Sequence, residues 1–61
     1  MIIKLKESII PELKVIGCNP GDEIKVESMS ATTGACYFTK TRNDVSQHCV
    51  VWPEDYEIVE P

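Results

Sequence analysis

Between Cys49 and Val59 the chain carries an apolar run, a proline, two acids and a second apolar run. Cys49-Val50-Val51-Trp52 reads as a strand, Pro53-Glu54-Asp55 as a single tight turn, and Tyr56-Glu57-Ile58-Val59 as a strand again. Proline cannot donate to a strand ladder, so Pro53 fixes where the first strand stops. A chain of 61 residues that spends its last quarter in this way needs further strands to close a sheet.

The rest of the sequence supplies them. Ile3 and Leu5 alternate with Lys4 and Lys6, which predicts an opening strand over residues 1 to 6. Asn19-Pro20-Gly21-Asp22 has proline and glycine at the two central positions of a type II turn. After it Ile24 and Val26 alternate with Lys25 and Glu27, predicting a strand over 23 to 29 with one wet face. Small polar residues from Ser30 to Gly34 predict a loop, and aromatic and β-branched residues predict a strand over 35 to 40. Thr41-Arg42-Asn43-Asp44 is short enough to join it, as an antiparallel hairpin, to a strand over 46 to 52, and the last strand is expected over 56 to 60. The stretch Ile9 to Ile16 is ambiguous. Ile9, Leu13 and Ile16 fit one helical face and Pro11 fits a first helical turn, but β-branched content and Gly17 favour an extended loop with apolar anchors. The more apolar strand faces predict a core of Ile3, Leu5, Ile24, Val26, Phe38, Cys49, Val51 and Ile58.

With almost no helical sequence to cover it, a five-stranded sheet buries one face by curling on itself, so the expectation is one all-β domain, a small, partly open barrel. An opening strand, a long loop over 7 to 22, three antiparallel strands, a Pro-x-x-Tyr turn at Pro53 to Tyr56 and a last strand together resemble an SH3-like barrel. Small phage and bacterial proteins of the same layout share the likeness. The resemblance implies a short 3₁₀ turn at Pro53-Glu54-Asp55-Tyr56. Of the aromatic groove that class uses for proline-rich peptides, it carries over only Pro53 and Tyr56. The long loop lacks the Ala-Leu-Tyr-Asp-Tyr run, and Trp52 does not match the groove tryptophan.

Chemistry is sparse. His48 stands beside Cys49, but neighbours on a strand point to opposite faces and do not share a pocket, which argues against a thiolate and base pair and against an enzyme. Cys18, Cys36 and Cys49 have no Cys-x-x-Cys spacing, so no metal site is expected, and no cofactor motif is present. Their odd number predicts reduced thiols in a cytoplasmic protein. No apolar run approaches the roughly 18 residues of a membrane span, and the opening does not read as a signal peptide.

Charge directs the remaining expectation. Ten Asp and Glu against six Lys and Arg give a net charge of -4, which disfavours nucleic acid. The preferred reading is a protein-interaction module, such as an adaptor, inhibitor or regulator. Trp52, Pro53 and Tyr56 then form the contact, with Glu54, Asp55 and Glu57 matching a basic partner. In an all-core reading Trp52 only caps the barrel. The alternative is a nucleic-acid surface of Tyr37, Phe38, Lys40 and Arg42, and exposed sheet edges leave self-association as a third reading.

Overall fold

The computed structural model describes residues 1–61. Six strands form two three-stranded antiparallel sheets, and the only α-helix is five residues long. The first sheet has the order β2-β1-β6, from Glu23–Lys25, Ile2–Leu5 and Tyr56–Glu60. The second has the order β3-β4-β5, from Ser28–Met29, Cys36–Arg42 and Val45–Val51. Neither sheet closes on itself. The all-β expectation holds at this level.

Where one strand is expected over 23 to 29, the chain forms two. Val26 donates its backbone N–H to Met1 in the first sheet, and Glu27 donates to Tyr37 in the second. One continuous alternating segment thus serves both sheets, because the two residues between β2 and β3 turn it from one layer into the other. The proline and glycine turn forms as expected, with Gly21 at φ +91° and the Asp22 N–H bonded to the Asn19 carbonyl at 3.1 Å.

The expected extended loop at Ile9 to Ile16 is instead helical over Pro11–Val15, which we call α1. Pro11 occupies the first turn, where a missing N–H costs nothing. Gly17, at φ +99°, ends the helix. Its N–H bonds to Lys14 and that of Cys18 to Leu13, the paired closure of a Schellman motif. Ile9 and Leu13 are buried by this geometry, so the apolar anchors are real although the backbone is not extended.

The core contains Ile3, Leu5, Phe38, Cys49 and Val51, as the strand parity predicts, together with Ile9, Leu13, Cys18, Cys36 and Tyr56. Ile24 and Val26 pack against it while partly exposed. Ile58 is a correction: it lies opposite Ile3 in the ladder but is 55% exposed. Its parity is right, yet β6 is the outer strand of its sheet and leaves the side chain without a covering layer. The irregularity between Ile2 and Ile3, which pair with Glu60 and Ile58, leaves Val59 unpaired and also exposed.

Candidate functional site

The expected contact turn forms, but it faces two ways. Pro53–Asp55 is a 3₁₀ turn that opens on Trp52 and delivers the chain into β6. Trp52, Pro53, Glu54 and Glu57 are exposed, whereas Asp55 and Tyr56 are buried. Ser8 Oγ donates to Asp55 Oδ1 at 2.6 Å, and the Lys6 N–H donates to the Asp55 carbonyl at 2.8 Å. Asp55 therefore pins the start of the long loop to the turn. Tyr56 Oη donates to the Gly34 carbonyl at 2.6 Å, tying the turn to the loop before β4. Gly34 has φ +78°, and a Cβ there would meet Pro53 Cγ at 2.9 Å, so the proline rests on the glycine. The expected site loses Asp55 and Tyr56 from its accessible surface because both are used to hold the turn in place.

The neighbouring thiol of Cys36, followed by burial, raises the Tyr56 phenol above its ordinary pKa. The Cys36 Sγ reaches the same Gly34 carbonyl at 3.9 Å. Cys18 and Cys49 are raised as well, chiefly by burial, and for Cys18 by the proximity of Cys49. All three thiols are unbridged and buried. His48 lies opposite Thr39 on the solvent side, one residue from the buried Cys49, so the strand separates the imidazole from the thiol.

The β4–β5 hairpin has two usable faces. Its turn is Asn43-Asp44 with φ of +53° and +63°, the two left-handed residues of a type I′ connection. Each strand consequently runs to the turn, with Arg42 paired to Val45. On the outer face Tyr37 stands opposite Val50, and Trp52, whose backbone is still extended at φ -90° and ψ 157°, continues the alternation beyond Val50. Tyr37 and Trp52 are both 43% exposed. Toward the turn this face becomes polar, where the Thr41 and Ser46 hydroxyls are bonded at 3.1 Å.

The inner face begins as core, with the Cys36 and Val51 pair and the Phe38 and Cys49 pair, and then leaves it. The next two pairs, Lys40 with Gln47 and Arg42 with Val45, line a groove of about 360 Å³ against Val15 and Ile16 at the end of α1. Arg42 Nη1 donates to the Val15 carbonyl at 3.2 Å. The stems of both cations run past Gly17, where a Cβ would lie 3.7 Å from Lys40 Cε and 3.8 Å from Arg42 Cδ.

The alternative surface is thereby divided. Tyr37 faces outward, Phe38 is in the core, and Lys40 and Arg42 line the groove on the opposite side. The structure instead groups Tyr37 with Trp52, one residue from each expected surface. Strand parity from 37 to 52 carried that signal, once the turn is narrowed to Asn43-Asp44. The groove was not anticipated, because it depends on α1.

No protein-family model, curated protein or solved structure matches this chain. No helix is long and apolar enough to cross a membrane.

Proposed function

We propose that this chain is a protein-interaction module whose contact surface is the outer face of the second sheet, centred on Tyr37, Val50 and Trp52 and continued by Pro53 and Glu54. The observation that carries the reading is the pairing of Tyr37 with Val50 and the continuation to Trp52 on one solvent-facing side. Two half-exposed aromatics on a hydrogen-bonded sheet lose little freedom on binding and offer large apolar area with polar edges. Acids border them. Glu27 is bonded through its backbone N–H to Tyr37, and Glu54 follows Trp52 by two residues, so a basic protein segment fits this rim.

We also read the two sheets as an SH3-like barrel. Support comes from one segment shared by both sheets, from the long loop between β1 and β2, and from the 3₁₀ turn directly before β6. In this reading the partner differs from a proline-rich peptide, since Tyr56 is occupied by Gly34 and offers no open aromatic face.

The test is affinity capture from source-cell extract with wild type and with Trp52→Ala and Tyr37→Ala variants whose unfolding midpoints match it. A direct protein partner is expected, with affinity reduced by about 2 kcal/mol in each variant, the size of an interface hot spot. A partner retained by both variants at unchanged affinity would remove this surface from consideration.

A further inference from the structure

We propose that the groove between the end of α1 and the inner face of the β4–β5 hairpin binds an acidic peptide segment, with carboxylates on Lys40 and Arg42 and one aliphatic side chain among Val15, Ile16 and Val45. The groove lies on the reverse of the aromatic face and is opposite to it in charge preference.

Its origin is the length of the hairpin. The core stops at Phe38 and Cys49, and the inner-facing pairs beyond them face the end of α1 and the residues directly after it. A volume of about 360 Å³ lies at the small end of ligand sites, enough for a few side chains of an extended peptide. Val15 is 75% exposed and Val45 57%, and an occupant that covers them removes apolar surface from water.

Charge selects the occupant. Two of the six Lys and Arg side chains of a protein with net charge -4 line this one groove, and no acid lines it. Arg42 spends one N–H on the Val15 carbonyl, which fixes its planar group at the rim and leaves further donors free for a carboxylate. Because its stem already packs beside Gly17, little ordering remains to be done on binding. Asn43 and Gln47 add amide groups that can pair with a peptide backbone. Single-stranded nucleic acid fits less well, since it needs stacking aromatics beside the cations. Tyr37 is on the other face and Phe38 is buried.

The experiment follows backbone amide resonances of the whole isotope-labelled chain during titration with a blocked hexapeptide of alternating glutamate and leucine. Concentration-dependent shifts are expected at residues 15 to 17 and 40 to 47, with Tyr37 and Trp52 unmoved. A Lys40→Gln variant should bind about tenfold more weakly, the equivalent of one charge-assisted hydrogen bond, and replacing the glutamates by glutamine, which removes the contacts to both cations, should weaken binding further. Absence of groove shifts at millimolar peptide, or equal binding of the glutamine peptide, would overturn the proposal. So would oligothymidylate moving the same amides when the peptide does not. If Lys40→Gln fails to fold, the comparison of the two peptides on wild type still decides.

Discussion

Single residues hold the turn that links the two sheets, and Gly34 is the most exposed to test. Its φ of +78° lies in the left-handed region, and its missing Cβ admits Pro53. Gly34→Ala should destabilise the fold by about 2 kcal/mol, from the left-handed penalty of an L-residue plus displacement of the proline, as read from urea midpoints. An unchanged midpoint would show that the contact with Pro53 carries no weight. The same residue explains why Tyr56 is not legible as buried from the sequence. Its role is set by a carbonyl 22 residues away, and no local pattern announces such a partner. His48 and Cys49 were legible because their separation follows from strand alternation alone. Ile58 shows the limit of that rule: alternation says which face a side chain takes, while coverage of that face depends on the position of its strand in the sheet.

Among the elements, the β4–β5 hairpin is the most regular, and its turn is its weakest point. Asn43 and Asp44 both adopt positive φ, which glycine tolerates better than aspartate. Asp44→Gly should therefore stabilise the chain by up to about 1 kcal/mol, measured as a raised thermal or urea midpoint. A lowered midpoint would mean that the Asp44 side chain contributes more than its backbone strain costs. The strands and breakers were legible because period two runs through Ile24 and Val26, aromatic and β-branched residues mark β4, and an apolar run stopped by Pro53 marks the end of β5. Two things were hidden. The passage from β2 to β3 leaves the alternation intact, so nothing in Glu23 to Met29 marks a change of sheet. α1 is too short for a helical period to outweigh the β-branched residues of the stretch Ile9 to Ile16, and without α1 the groove beside Lys40 and Arg42 has no second wall.

At the scale of the whole molecule, stability is coupled to alkaline pH through buried protons. Cys18 and Cys49 are raised chiefly by burial, and Tyr56 by Cys36 and burial. The folded chain keeps these protons where the unfolded chain releases them. Stability is therefore fully present below the ordinary cysteine pKa of about 8.5 and falls as pH rises above it, with a further decline near the ordinary tyrosine value of about 10. Urea unfolding at a pH of about 7, 9 and 10 should show midpoints decreasing in that order. A flat profile would mean that these groups titrate alike in both states. The all-β class was legible at this scale because strand-like runs and turn residues recur along the chain and almost no stretch carries a helical period. The division into two sheets was not, because it rests on pairings between distant segments.

The most distant of those pairings joins β1 to β6, with Ile2 opposite Glu60. β1 is the middle strand of its sheet and its neighbour β6 lies far along the chain, so that ladder must close a long loop before it gains anything. The β4–β5 hairpin, closed by a two-residue turn, carries no such cost. The two sheets thus differ in how they assemble: one closes locally, and the other is completed only when two distant segments meet.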